Sequence, residues 1–196
     1  MIYLYGAGGH AKVIVDILEL KGTSIAGYFD DDPTKKIWNY PGFSFPGSFD
    51  LLSDGLIVSI GNNIMRKKIV DAITAKYFKV IHPSAIISSH SAIGEGTVVM
   101  GGALINADTQ IGKHCIINSN AVIDHECIIG DFVHVSPNAT LCGNVEVGQL
   151  SHVGAGAVVI QGKKIGTNAV IGAGSVVITD IPDNVVAVGN PAKIIK

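Results

Sequence analysis

The chain has 196 residues, of which 47% are hydrophobic and 15% charged, with a formal net charge of −2. That length builds one medium domain or two small ones around a real apolar core. The near-neutral balance and the lack of any basic block argue against nucleic acid or an anionic membrane surface as partner.

The first segment, MIYLYGAGGH, has no basic stretch followed by a long apolar run, so it does not read as a secretory signal. Gly or polar residues interrupt every apolar run before about 18 residues, so no membrane span is expected and a cytoplasmic location is. Ile2 to Tyr5 form a β-prone strand, Gly6-Ala7-Gly8 a turn, and Val13, Ile14, Ile17 and Leu18 a helical stripe. A second strand in SIAGYFDDD ends at Asp30-Asp31-Asp32. A third covers Leu56 to Ile60 in LIVSIGNN and leads into a helix from about Ile64 to Tyr77. This order is a Rossmann-like βαβαβ half, α/β in class, over residues 1–80. Gly6-x-Gly8-x-x-Ala11 is a variant of the dinucleotide fingerprint in its strand–turn–helix setting, where open glycines and a helix N-terminus favour an anion. Eighty residues supply only half a dinucleotide domain, so a dehydrogenase is disfavoured. Arg66 invites a phosphate role, but Lys67 and Lys68 follow it, and a solvated helix face is the competing reading.

Charge thins out past residue 80: residues 1–80 hold 17 charged side chains and residues 81–196 hold 13, with His82-Pro83 as punctuation. From Ile81 to Val177 every sixth residue is aliphatic, 17 positions without a slip. Four residues after each anchor the side chain is usually small, as at Ala103, Thr109, Cys115, Ala121 and Cys127, with Lys163 the main exception. Gly often follows the anchor directly, as at Gly94, Gly112 and Gly130, and is expected to relieve the corners. Neither a helix nor an ordinary strand has period six; short strands joined by tight corners and stacked into a β-solenoid do. The three cysteines, odd in number and without a CxxC pair, fit reduced packing thiols better than disulfides or a zinc site.

This repeat resembles the hexapeptide-repeat family, whose fold is a left-handed parallel β-helix of about 18 residues per coil. The tail ITDIPDNVVAVGNPAKIIK is similar to the ending of its acyltransferases. Handedness comes from that resemblance alone. Residues 81–196 are assigned to the helix.

Residues 18 apart stack on neighbouring coils. His125 therefore lies between Ala107 and Gly143, a notch on the prism surface, and His134 stacks on His152. Asp124 and Asp131 read as solvated corner residues. Cys142 beside Gly143 raises an acyl-cysteine route, which lacks a histidine stacked on that sulfur. Acetyl transfer to an amine needs a base, an oxyanion donor and two held reactants; a histidine next to a carboxylate suits the first role. For Glu126 to reach His125 the chain must bend between them.

GAGGH, YFDDD, SIGNN-x-x-R and VIDHECIIGDFVHVSP, in that order, resemble the bacterial sugar acetyltransferases that N-acetylate nucleotide-linked amino sugars, together with the sialic acid O-acetyltransferase branch. The resemblance implies an acetyl-CoA-dependent transfer to the 4-amino group of an amino-dideoxy sugar nucleotide for surface polysaccharide or glycan synthesis, with UDP favoured and no metal. It implies His125 as base, with Glu126 raising its basicity. Gly8, Gly9 and His10 would lie against phosphates or sugar, Asp30 and Asp31 against base and ribose, and Gly61 along the same site. His134, Gly143, Ala155 and Ala173 would meet acetyl-CoA, with sites between the copies of a homotrimer. O-acetylation shares every motif. A non-catalytic nucleotide-sugar scaffold and a metal enzyme like the γ-class carbonic anhydrases stand further off; the latter needs three histidines around one ion.

Overall fold

The computed structural model describes residues 1–45 and 55–196. The N-terminal half is a five-stranded parallel sheet in the order β3-β2-β1-β4-β5, with β1 at Ile2–Tyr5, β2 at Ile25–Phe29, β3 at Gly42–Phe43, β4 at Gly55–Val58 and β5 at Lys76–Tyr77. Helix α1, Gly9–Leu20, makes the crossover that parallel strands require. It ends in a Schellman-type turn, with Thr23 N–H donating to Leu18 O and Gly22 in the left-handed region at φ 62°. Its buried stripe is Ala11, Ile14, Val15, Ile17 and Leu18, while Val13 is 43% exposed, so the stripe is set one position differently from the expected one.

Helix α2, Asn63–Ala72, stops well short of the expected Tyr77. Asn62 caps its start by accepting from Met65 N–H at 2.9 Å, and Ile73 is already extended. The residues expected to be helical instead form β5, which pairs with β4 and adds an edge strand. Tyr77 OH donates to Ile73 O at 2.7 Å and to Val70 O at 3.3 Å, satisfying carbonyls at the helix end.

From Val80 onward the chain is a three-faced parallel β-helix. Face 1 holds Val80–Ile81, Val98–Val99, Ile116–Ile117, His134–Val135, His152–Val153, Val170–Ile171 and Val186–Val188, closed by the antiparallel Lys193–Ile194. Face 2 runs from Ile86–Ile87 to Val176–Val177 and face 3 from Ala92–Ile93 to Lys164–Ile165. From Val80 to Val177 the pairings follow the 18-residue step, for example Leu104 with Val122 and Val122 with Thr140, and only the last turn shortens it to 16, at Val170 with Val186 and Ile171 with Ala187. From Val99 to Val177 the anchors are buried, and Ile81, Ile87 and Ile93 on the first coil are half-buried. Each buried Val or Ile contributes about 1.5–3 kcal/mol of burial.

The small inward positions are filled as the spacing implies. Cys115 and Cys127 are buried free thiols, and burial pushes the Cys115 thiol up to about 12. Buried hydroxyls at these positions are satisfied: Thr109 donates to Asp124 O at 2.6 Å and Ser151 to Gly166 O.

The corners work differently from the expectation. The left-handed residue sits three positions after the anchor, at Asp108, His114, Asn120, Glu126, Phe132, Asn138 and Asn144. Glycine directly after the anchor serves clearance instead. A Cβ on Gly94 would stand 2.5 Å from Gly112 backbone, and one on Gly130 would stand 2.7 Å from Gln149 N. Coils stacked as neighbouring strands leave no room for a side chain there.

The two halves share one core. Ile14, Ile17 and Leu18 of α1 cluster with Val80, Val98 and Met100 of the first coils. Arg66 ties α2 to the corners that lead into face 1: it is 1% exposed and donates to His114 O at 2.8 Å, Phe132 O at 3.0 Å, Ile60 O at 2.9 Å, Gly61 O at 3.2 Å and Asn63 Oδ1 at 2.8 Å. It is neither a phosphate ligand nor a solvated residue, because every direction its guanidinium offers is already taken by protein oxygens.

Beside it, His114 is 4% exposed, stacked on Phe132 at 5.1 Å and edge-on to Tyr77 at 4.6 Å. Burial holds its pKa down at about 4, and holds His10 at about 4 and His134 at about 3. The unfolded chain takes up these protons near the ordinary 6.5 and the folded chain only near 4, so the unfolded state binds more protons in that window. Stability is therefore lost as pH falls from 6.5 toward 4, by up to about 1.4 kcal/mol per pH unit for each such histidine. Thermal melts between pH 7 and 5 will show this slope. His114→Phe will make it shallower by that one histidine's share and should keep the fold, since Phe132 already holds an aromatic ring in the same left-handed corner position. An unchanged slope in that variant would remove His114 from the account.

Candidate active site

The corner from Asp124 to Cys127 joins faces 2 and 3, between Val122–Ile123 and Ile128–Ile129. Glu126 holds the left-handed position at φ 60°, which turns its side chain back onto its neighbour. His125 Nδ1 and Glu126 Oε2 lie 3.0 Å apart. Nδ1–H donating to the carboxylate leaves the Nε2 lone pair outward. The bend that the sequence required is thus supplied by the same left-handed step used at the other corners.

The imidazole lies directly over Gly143 of the next coil. A Cβ there would stand 2.5 Å from Cε1 and 2.6 Å from Nε2. Asn144 N–H donates to His125 O at 2.9 Å, fixing the two coils together. Gly143→Ala will therefore push the exposed ring aside without disturbing the ladder. A fall of roughly tenfold to a hundredfold in kcat with an unchanged melting point is expected, as for a misplaced catalytic group. A fall in stability with kcat intact would show that the glycine serves only the backbone.

Asp124 is more than a solvated corner residue. Its Oδ1 accepts from His125 N–H at 2.8 Å and from Asn106 Nδ2 at 2.8 Å, and its Oδ2 lies 4.0 Å from His125 Nε2. The Asn106 and His125 hydrogen bonds hold its carboxyl below the usual range. Asp131 likewise accepts from the backbone, at Lys113 N–H. Asn106 was not singled out from the sequence. Its 18-residue spacing from Asp124 is the signal that finds it.

His134 and His152 stack as the coil arithmetic gives, 4.6 Å apart and 10° from parallel. His134 Nε2 lies 3.1 Å from Asn118 Nδ2, and Ser136 Oγ is 2.7 Å from His152 Nε2. They stand on face 1, opposite the corner that carries His125, so one chain does not bring His125 and His134 together. Among the described residues no group of three or more His, Cys, Asp or Glu could hold a metal ion.

In the N-terminal half, Gly8 caps α1 and Gly9 begins it. Beyond Gly8, Gly9 and Gly61 a Cβ would meet nothing within 4 Å, so the backbone there is open to a ligand. The buried Nε2 of His10 has no hydrogen-bond partner. Asp30 is turned inward, with its side chain 8% exposed; it accepts from Ala7 N–H at 2.7 Å and Asp32 N–H at 2.9 Å and shapes the glycine turn. Asp31 is the exposed carboxylate of the pair, with Tyr5 OH donating to it at 3.2 Å. Both line a cleft of about 560 Å³ with Lys35, Trp38 and Phe43, of which Trp38 and Lys35 carried no sequence signal of their own.

An 18-residue parallel coil with an imidazole seated over a glycine corner, behind a parallel sheet with an open glycine turn, is the architecture of the hexapeptide-repeat transferases. The PglD N-terminal domain model matches residues 1–73, and the bacterial transferase hexapeptide model matches residues 90–125 and 126–161. The chain belongs to the bacterial sugar acetyltransferases of the hexapeptide-repeat family, with the left-handed parallel β-helix of that family.

It is 39% identical to perosamine N-acetyltransferase from Caulobacter crescentus, solved as a single-histidine variant with CoA and GDP-perosamine. That likeness covers 100% of this chain and 96% of the other, with a TM-score of 0.94. The acetyltransferase domain of PglB from Neisseria gonorrhoeae is 35% identical over 99% of this chain and 98% of that one, with a TM-score of 0.93. UDP-N-acetylbacillosamine N-acetyltransferase of Bacillus subtilis is 43% identical over 109 residues, 50% of this chain and 50% of the relative, so the match spans half of that relative's length.

Proposed function

We propose that this chain is an acetyl-CoA-dependent N-acetyltransferase acting on the 4-amino group of a nucleotide-linked amino-dideoxy sugar. Residues 1–80 hold the nucleotide sugar and residues 81–196 carry the chemistry. The observation that carries the reading is the His125–Glu126 pair over the Gly143 notch: a hydrogen-bonded imidazole with its Nε2 free beside a gap one side chain wide. Nε2 takes the proton as nitrogen attacks the thioester carbonyl, and the Gly143 N–H donates to the developing oxyanion. Gly8, Gly9, His10 and Gly61 receive the diphosphate and sugar, where the open turn and the α1 N-terminus favour anions. Asp31 meets the ribose or base, and Asp30 keeps the turn in shape.

The assembly is a homotrimer. The outward side chains of face 2, Ile86, Leu104, Val122, Thr140, Val158 and Val176, form a stripe with Thr140 its one polar member, and Ile86 is 68% exposed. Copies meeting on this face bring the His125 and Gly143 corner of one chain beside the opposite corner of the next. That second corner carries Asn118, Ala155 and Ala173, with His134 at its edge. Acetyl-CoA lies between them, which accounts for contacts on two corners that a single prism keeps apart. Among the described residues no helix is long and apolar enough to cross a membrane. The reading sets the enzyme in the cytoplasm.

The test is thiol release from acetyl-CoA against UDP-, dTDP- and GDP-linked 4-amino sugars, sialic acid and simple acceptors. One nucleotide 4-amino sugar will dominate, with UDP the first nucleotide to try. No release with any sugar nucleotide would overturn the reading.

A further inference from the structure

We propose that Asp124 is the residue that selects an amine over a hydroxyl acceptor, by receiving the positively charged nitrogen of the incoming sugar between its Oδ2 and His125 Nε2. The inference rests on the acetyl-transfer reading above and adds the chemical identity of the acceptor.

The corner presents two carboxylates to one imidazole, and they are not equivalent. Glu126 occupies Nδ1 at 3.0 Å. Asp124 Oδ2 stands 4.0 Å from Nε2, too long for a direct hydrogen bond and short enough for one donor atom to reach both. Asp124 is also fixed in place. Asn106 Nδ2 and His125 N–H both go to its Oδ1, so the rotamer is set and Oδ2 is the oxygen left facing the base. These same bonds keep the group ionised. Asp124 is partly exposed, with 36% of its side chain accessible, so a ligand can reach it.

A 4-amino sugar arrives as R–NH3⁺, which has three donors and a charge. One N–H reaches Asp124 Oδ2 and another points at His125 Nε2. The ammonium sheds one proton to water. The amine lone pair forms the N–C bond at the thioester carbonyl, giving an adduct whose nitrogen is again positive and whose oxygen is negative. His125 Nε2 then takes a proton from that nitrogen, the C–S bond breaks, and the proton passes to the departing thiolate. The products are the amide, CoA thiol and one proton released to solvent. Nitrogen is cationic both on arrival and in the adduct, so a fixed carboxylate favours it at both stages. A hydroxyl acceptor is neutral on arrival and gains only an ordinary hydrogen bond from the same oxygen.

The experiment uses the full chain with acetyl-CoA and two probes that differ only at C4, a UDP-linked 4-amino-4,6-dideoxy sugar and the UDP-linked 6-deoxy sugar with a hydroxyl there, with the GDP-linked pair run beside them. Transfer is followed by thiol release, and probe binding by calorimetry on the wild-type chain without acetyl-CoA, which reports recognition without turnover. Wild type will prefer the amine in both readouts. Asp124→Asn keeps the shape and the Asn106 contact but loses the charge. It will cut kcat/KM for the amine by roughly tenfold to a hundredfold, mainly through KM, and leave the hydroxyl probe unmoved. An Asp124→Asn enzyme with wild-type kcat/KM and KM for the amine would overturn the proposal, as would a wild type that acetylates the hydroxyl probe as readily. Those two results leave His125-dependent acetyl transfer standing. Calorimetry that shows no preference for the amine would also overturn it, whatever the turnover.

Discussion

His125→Ala will lose most of the acetyl transfer, by about 10²–10⁴-fold in kcat, the usual contribution of a general base. The side chain is exposed and the backbone bonds of its corner belong to Ala107, Asn144 and Asp124, so the variant keeps its fold. kcat and kcat/KM will fall together, because the imidazole is required as the proton leaves nitrogen and not for binding acetyl-CoA. Glu126→Gln will fall less, since it retains a hydrogen bond to Nδ1 while losing the charge. Steady-state kinetics with thiol release measure both. Full activity in His125→Ala would leave the corner without a base and the proposed chemistry without a mechanism.

Arg66→Ala will have the largest effect on stability. The guanidinium is 1% exposed, and among the described residues no carboxylate pairs with it; its partners are four carbonyls and the Asn63 amide oxygen. Burial lowers its pKa to about 10, so it stays charged at neutral pH. Its removal orphans several buried acceptors at once, at about 1–3 kcal/mol each, and a loss on the order of 3–5 kcal/mol is expected after local relaxation. That corresponds to a drop in melting temperature on the order of 10 °C for a chain of this size. Arg66→Lys will fall between, because one ammonium cannot reach both His114 O and Phe132 O as the planar fork does. A melting temperature within about 2 °C of wild type for Arg66→Ala would show that the seam is held by packing alone. The same substitution should loosen Gly61, whose carbonyl Arg66 holds, and so weaken nucleotide-sugar binding beyond the loss of stability.

Much of this was legible because a period of six has few physical solutions. Seventeen aliphatic anchors set the coil length, and the coil length alone placed His125 over Gly143 and His134 on His152 before any coordinate. The N-terminal half was less legible at its edges. Lys76–Tyr77 read as helix, since a two-residue edge strand has no periodicity of its own and exists only because β4 offers it backbone partners. Asp30 and Asp31 looked interchangeable. Their difference comes from the Ala7 N–H, a backbone group 23 residues away.

The sequence by itself determined the repeat, the inward and outward positions, and the histidine–carboxylate pair at a coil corner, because all of these follow from spacing along one chain. The tertiary structure alone decided where Arg66 goes, which aspartate is open, and that Asp124 faces the base. Each depends on contacts between residues that no periodicity relates, and hydrogen-bond partners of a buried or fixed polar group are chosen by the fold around it. A guanidinium next to two lysines reads as surface. It is buried here because His114 O and Phe132 O stand at the two coil corners beside α2.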